Sequence, residues 1–244
     1  MPDQNRRDAL ERVADSPLFA GVARGACQEA VDLGRERPIA PGDVLFREGE
    51  PAVTLYLVLE GRMKLTQLGV DGQEVVIRFV VPGGVVAALA VLDQGVYPVT
   101  ATAVTATRAL SWSHDVFATL MQRTPALAVN AMRLLSERLR EMQQRFREVA
   151  TERVAQRVAR ALVRLVRLVG RKTDGGVLID MPLSRQDLAE MTGTTLYTVS
   201  RVLSEWESAG LVTSGRERIT IRAPHRLVAL AEDLPEKPSP APEG

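Results

Sequence analysis

The order of apolar and polar positions changes several times along the 244 residues. "DALERVADSPLFAGVARGACQEAVDLG" mixes the two as short amphipathic helices do and predicts helices over 1–37. From about residue 38 the pattern shortens. "VTLYLVLEGRMKLTQLGVDGQEVVIRFVVPGG" alternates in part, is rich in Val, Leu and Ile, and is punctuated at Glu60-Gly61, Asp71-Gly72 and Pro82-Gly83-Gly84. "YPVTATAVTATRALSW" continues as strand, with small and β-branched residues recurring at every second position. Many short strands at close spacing predict an antiparallel roll or barrel over 38–123.

A helical period takes over at Thr124, with Pro125 suited to a first turn, and predicts one long helix over 124–150. Along it Ala128, Met132, Leu135, Leu139, Met142, Phe146 and Val149 fall alternately four and three apart, a heptad seam. Arg133, Glu137, Arg138, Arg140, Glu141 and Arg145 fill the flanks. Such a helix packs on its own domain or against a second copy of itself. The regular seam and charged flanks favour a two-stranded coiled coil, hence a homodimer.

A further helix reaches about Val169 and carries Arg153, Arg157, Arg160, Arg164 and Arg167 as a basic stripe. Beside the stripe runs an apolar face of Val154, Val158, Ala161, Leu162, Leu165 and Val169. The stripe reads either as a solvated face or as an approach to phosphates. "GRKTDGGVLIDMP" reads as a turn-rich connection, and "EDLPEKPSPAPEG" belongs to a Pro-rich, acidic, disordered tail over 232–244.

The most informative stretch is "SRQDLAEMTGTTLYTVSRVLSEW", residues 184–206. Ser184 with Asp187 three positions on predicts a capped helix start. Leu188 faces inward, and Gly193 supplies a turn conformation that a β-carbon resists. Thr194 or Thr195 caps a second helix, whose Val199, Val202, Leu203 and Trp206 form a buried stripe. Tyr197, Ser200, Arg201 and Ser204 lie opposite. Two helices joined by a short Gly-containing turn make a helix-turn-helix, whose second helix enters the major groove of DNA by its N-terminal end. Leu196 and Tyr197 then belong to the reading end, and Arg201 can donate two hydrogen bonds to guanine. Ser200 reaches a base or a phosphate, Arg185, Gln186, Thr195 and Thr198 suit phosphate oxygens, and Thr194 completes the expected DNA-binding set. "SAGLVTSGRERITIRAP" adds two short strands around Ser214-Gly215, a wing, so the winged helix-turn-helix spans 151–226. The alternative is an αα-hairpin within an all-helical core.

Composition narrows this only in places. With 31 Lys and Arg against 30 Asp and Glu, the formal net charge is +1, so a nucleic-acid partner is legible in the distribution of charge and not in its total. A single cysteine, Cys27, leaves no disulfide framework within the chain and no CxxC metal site, and reads as a small core residue. No apolar run approaches the roughly 20 residues of a membrane span, and "MPDQNRRDALERV" has no signal-peptide core; a cytoplasmic protein is expected. No nucleophile elbow, phosphate-cradling loop or metal-spaced His pair is present, so no enzyme is expected.

A roll, a long dimer helix, a helix-turn-helix and a wing, in that order, resemble the CRP/FNR family of bacterial transcription regulators. "LSRQDLAEMTGTTLYTVSRVLSEWESAGLV" carries the likeness most specifically. The resemblance implies an α+β chain with a cyclic-nucleotide-binding-like roll (a double-stranded β-helix), a dimer on palindromic double-stranded DNA, and contact with RNA polymerase. It also implies a small effector in the roll that changes how the reading helices are presented. The reading helix looks like that of members governing nitrogen-oxide and anaerobic respiration.

Departures from the family pattern matter as much. Cyclic-AMP-binding members hold ribose and phosphate with a Gly-Glu-Leu segment and a following Arg-Ser. Here the corresponding stretches are "AAL", Ala87 to Leu89, and "YPVTA", Tyr97 to Ala101, so carboxylate and guanidinium are both missing and cyclic AMP is disfavoured. One Cys cannot supply the four thiolates of an iron–sulfur cluster. The Cys and His that hold haem in carbon-monoxide-sensing members are absent from "VVAALA", Val85 to Ala90, which leaves His114 and His225 as the histidines of the chain. The effector pocket, with Ala87, Ala88, Leu89, Tyr97, Pro98 and Val99 among its walls, is expected to be apolar. It would suit a small uncharged ligand or a weakly ligated haem. Where relatives place Glu in the reading helix, this chain has Tyr197, while Thr198, Val199, Ser200 and Arg201 keep the pattern.

Overall fold

A computed structural model describes residues 2–234. The tail expected over 232–244 falls, from residue 235 on, outside the described residues. The chain forms two compact units that divide between residues 144 and 145.

The first unit opens with α1 (Pro2–Ala14) and α2 (Arg24–Leu33), with a short 3-10 turn at Pro17–Phe19 between them. Eight strands follow: β1 (Arg35–Ile39), β2 (Val44–Phe46), β3 (Thr54–Glu60), β4 (Met63–Leu68), β5 (Glu74–Val80), β6 (Val85–Val86), β7 (Thr100–Ala103) and β8 (Thr107–Ser113). They pair antiparallel as two four-stranded sheets, ordered β1-β8-β3-β6 and β2-β7-β4-β5. A single turn of helix, α3 (Ala88–Leu92), interrupts the strands, and α4 (His114–Arg123) leaves the last of them.

Both sheets feed one core, with Leu55 and Leu57 of β3, Met63 and Leu65 of β4 and Trp112 of β8 all buried. Five consecutive residues of β3, Leu55 to Leu59, are buried, so this strand is covered on both faces. That is why the alternation in its sequence is only partial. Trp112 donates its indole N–H to the Ala30 carbonyl at 2.7 Å and ties α2 to β8. Gly61 closes the β3–β4 hairpin at φ +80°, where a Cβ would lie 2.2 Å from the Ala106 carbonyl oxygen.

The long helix α5 spans Ala126–Thr151, and the separate α4 precedes it. Its first turns show two opposed faces. Leu127, Asn130 and Ala131 are buried in the first unit, where the Asn130 amide donates to the carbonyls of Leu18 (3.0 Å) and Ala20 (2.9 Å).

In the second unit α6 (Val154–Val169) leads into β9 (Gly170–Thr173) and β10 (Gly176–Ile179). Then come α7 (Arg185–Thr192), α8 (Leu196–Ser208), β11 (Val212–Gly215), β12 (Arg218–Ile221) and α9 (Pro224–Glu232). The stretch read as a turn-rich connection is a hairpin: β9 pairs β10, and the sheet runs β11-β12-β10-β9. All four β9 residues are exposed at the sheet edge, so the strand has no apolar signature to read. The wing turn lies at Arg216-Glu217, two residues beyond the expected Ser214-Gly215, with Gly215 opposite Arg218 and Glu217 at φ +55°.

Candidate nucleic-acid interface and sensor cavity

The geometry of α7 and α8 follows from short-range chemistry. Ser184 caps α7: its Oγ accepts from the Asp187 N–H (3.0 Å) while its own N–H donates to the Asp187 carboxylate (2.9 Å). Gly193 ends the helix in the left-handed region, φ +61° and ψ +50°, and its N–H donates to the Ala189 carbonyl. Thr195, not Thr194, caps α8, its Oγ1 accepting from the Thr198 N–H at 3.2 Å. Val199, Val202, Leu203 and Trp206 are buried.

The opposite face of α8 is therefore turned outward. Tyr197 is 78% exposed and Leu196 47%, at the first turn of the helix. Arg201 is exposed one turn on, its guanidinium held by Glu205 at 2.9 Å. Ser200 and Thr198 are half-buried beside it, and Thr195 is exposed. On α7, Gln186 is exposed and pairs with Glu190, while Arg185 is half-buried and donates to the Ser214 hydroxyl on β11 at 3.1 Å. Thr194 is half-buried in the turn. The nine residues expected at a DNA interface thus lie on α7, α8 and the turn between them.

The arginine stripe of α6 has another use. Arg157 donates to the carbonyls of Glu152 (2.9 Å), Thr192 (2.9 Å) and Gly193 (3.4 Å), gripping the turn that sets the angle between α7 and α8. Arg160 bridges Glu152 and Glu232. Arg164 makes a two-pronged pair, 2.9 and 2.8 Å, with Glu148, whose side chain is 4% exposed. These three arginines are therefore not simply a solvated face: the carboxylates of Glu148, Glu152 and Glu232 and the carbonyls at helix ends hold them, and of the three glutamates Glu148 is buried. Arg153 and Arg167 remain exposed.

The seam residues of α5 face solvent in the single chain: Met132 (60% exposed), Leu135, Leu139 (54%), Met142, Phe146 (78%) and Val149. Ala128, the first of the series, is half-buried. Val129 is exposed beside them.

Within the first unit lies a cavity of about 230 Å³. Ala87, Ala88, Pro98 and Val99 line it as expected. Leu89, also expected there, falls in α3, and its side chain lies outside the described residues. Tyr97 is not part of it either: its ring stacks on Phe46 at 3.9 Å, and its hydroxyl exchanges hydrogen bonds with the Thr54 backbone, accepting at 3.2 Å and donating at 2.9 Å. Burial pushes the Tyr97 phenol above its ordinary pKa. The expectation of a wholly apolar pocket also fails, because Arg78 of β5 and Arg138 of α5 both line it. Ala87 stands at φ +67°, a backbone that favours glycine. Haem iron takes His, Cys, Met or Tyr as axial ligand. None of these types lines the cavity among the described residues, so the wall does not fit a haem. His114 lies elsewhere, at the start of α4, paired with Gln94 and Asp115, and His225 lies in α9.

Comparison with known proteins agrees with this geometry. The family model of the cyclic nucleotide-binding domain matches residues 36–124, and that of the Crp-like helix-turn-helix domain matches residues 156–230. The chain is 31% identical to the cyclic AMP receptor protein of Thermus thermophilus, over 90% of this chain and 98% of that one. The chain belongs to the CRP/FNR family of transcription regulators. As a CRP/FNR regulator it is also 30% identical to the nitrogen fixation regulation protein FixK of Bradyrhizobium diazoefficiens, over 90% of this chain and 91% of that one. The crystal structure of a CRP/FNR-family transcriptional regulator from Thermus thermophilus superposes with a TM-score of 0.69 at 27% identity, covering 81% of this chain and 98% of that one. No helix among the described residues is long and apolar enough to cross a membrane.

Proposed function

We propose that this CRP/FNR regulator works as a homodimer joined along α5, with α8 of each copy in the major groove of one half of a palindromic site, and that a small molecule in the roll controls it. The observation that carries the proposal is the outward face of α8, where a bulky apolar residue, an aromatic and an arginine stand in solvent over a fully packed inner face. A monomer gains nothing by exposing Leu196 and Tyr197; a base edge gives them a partner.

In this reading Arg201 takes the guanine O6 and N7. Tyr197 stands in place of the cytosine-accepting Glu of relatives, and together with Leu196 it offers apolar surface that suits the C5-methyl of thymine. Arg185, Gln186, Thr194, Thr195, Thr198 and Ser200 serve the phosphates and fix register. RNA polymerase is the further protein partner. The assignment to nitrogen-oxide and anaerobic respiration rests on the likeness of the reading-helix stretch "TGTTLYTVSR", residues 192–201.

Selection of binding sites from random DNA, followed by titration against salt, tests the proposal. A palindromic site retaining the family guanine, with a changed neighbouring pair and an affinity falling steeply with salt, is the expected result. A ligand-binding module without DNA affinity would yield no enriched site and no salt slope. Recovery of the unaltered family consensus would reject the role given to Tyr197.

A further inference from the structure

On the outward face of α8 the arginine assigned to guanine is already engaged. Arg201 donates through Nη1 to the Glu205 carboxylate at 2.9 Å, one helical turn on. Both side chains are more than half exposed, and neither has another polar partner among the described residues. Side chains lean toward the N-terminus of their helix, so Glu205 reaches back toward the end of α8 that enters the groove.

As a stabilising contact the pair counts for little, because an exposed ion pair one turn apart is screened by water. Its effect begins where DNA excludes that water. A guanidinium carries five N–H donors, and Glu205 takes one on Nη1. The Nε–Nη2 edge stays whole, with the two parallel donors that guanine O6 and N7 accept. An unheld guanidinium has another choice, since phosphates on either wall of the groove accept the same fork. Glu205 opposes that choice twice. It fixes which edge is presented, and its own charge is repelled by phosphates whatever the base sequence.

We infer that Glu205 is a positioning residue of the reading helix: it sharpens the discrimination of guanine by Arg201 and lowers affinity for DNA of any sequence. This deepens the proposed function and rests on its assignment of Arg201 to guanine.

The test is anisotropy titration of the full chain against three duplexes. These are the palindrome selected from random DNA, the same palindrome with one G·C pair per half changed to A·T, and a scrambled duplex. The pair to change is the one that the parent senses and Arg201→Ala does not. Glu205→Ala should cut the ratio between the first two duplexes about tenfold, a part of what two bidentate pairs supply. It should also raise affinity for the scrambled duplex about threefold, through the lost repulsion. Glu205→Gln keeps an acceptor of equal reach, so it should retain part of the ratio while gaining the same general affinity. Glu205→Asp keeps the charge but withdraws it by one methylene. Its ratio should fall nearly as far as that of Glu205→Ala, with scrambled DNA bound as by the parent. In an Arg201→Ala background Glu205→Ala should leave the ratio unaltered. Ala and Gln are good helix formers at an exposed site, so both variants should melt as the parent does.

An unchanged ratio in Glu205→Ala overturns the inference, even where Arg201 still senses its guanine. So does the reverse order, Asp matching the parent and Gln matching Ala, which would leave charge alone at work. If Arg201→Ala senses every pair as the parent does, the proposed function loses its base reader and the role of Glu205 falls with it.

Discussion

The reading helix and the sensor cavity both depart from the family pattern, but the fold registers the two departures differently. On α8 the replacement of a carboxylate by Tyr197 leaves caps, turn and buried stripe untouched, because the side chain stands in solvent at 78% exposure. In the roll the same kind of replacement reaches the core. Tyr97 opens the stretch that stands where the resemblance puts an Arg-Ser segment, and it is drawn in to stack on Phe46 and bond Thr54; Ala87 opens the one that stands for Gly-Glu-Leu, and it is left at φ +67°. An exposed position changes what is recognised; a packed one also changes how the surrounding chain is arranged.

The largest effect expected on the exposed side is that of Arg201→Ala. Each bidentate arginine–guanine pair is worth about 1–3 kcal/mol, so loss from both half-sites costs about 2–6 kcal/mol, roughly 30-fold to 20,000-fold in affinity. Fluorescence anisotropy on the selected site should show this, with sedimentation confirming an unchanged oligomer. If affinity fell equally for scrambled DNA, Arg201 would be a phosphate contact and no base reader. Next in size is Leu139→Glu. A carboxylate set into the apolar seam from each copy is desolvated against its twin, and a monomer is expected at micromolar concentration. Leu139 is 54% exposed in the single chain, so each copy should keep its fold, with stability within about 0.5 kcal/mol of the parent. Dimers persisting in that variant would move the subunit interface off α5.

The same contrast governs what the sequence makes legible. The helix-turn-helix is written in caps and spacing within 23 consecutive residues, Ser184 to Trp206, and local rules suffice to find it. The seam is equally legible because a heptad is a local period. What escapes is whatever depends on distant partners. Arg78 sits in "VVIRFVV" like any outward residue of a strand, and Arg138 like any charged flank of a seam; only folding brings both to one cavity. The arginines of α6 show the converse. Their regular spacing is visible, but Arg164 finds Glu148 and Arg157 finds Thr192 through packing that no short window contains. The β9–β10 hairpin is missed for a third reason, since an exposed edge strand of Gly, Arg, Lys and Thr carries no apolar alternation.

A smaller effect sharpens the exposed side. If Leu196 and Tyr197 cover thymine methyls, replacing that thymine by uracil removes one methyl contact per half-site. At about 0.8 kcal/mol per buried carbon, two half-sites lose about 1.6 kcal/mol, roughly 15-fold. Leu196→Ala should shrink the thymine–uracil difference. Equal affinity for both DNAs in the parent protein would leave the two apolar side chains without a base to read.

Ala87→Gly gives the smallest change, and it is the one that tests the packed side. A residue with a β-carbon in the left-handed region costs about 1–2 kcal/mol. Glycine removes that cost but makes the unfolded chain more flexible, which takes back about 0.4–1 kcal/mol. The difference favours the folded roll by roughly 0.5–1 kcal/mol, a rise of a few degrees in melting temperature. The two tryptophans separate the units, since Trp112 is buried in the first and Trp206 in the second. The gain should appear in the transition reported by Trp112, best isolated in a Trp206→Phe background. Ala87→Val should shift the same transition the other way, because a β-branched side chain tolerates a positive φ least. If glycine brought no gain, the segment beside the cavity would accept substitution as freely as the reading helix does. The difference in how the fold registers its two departures would then rest on Tyr97 alone.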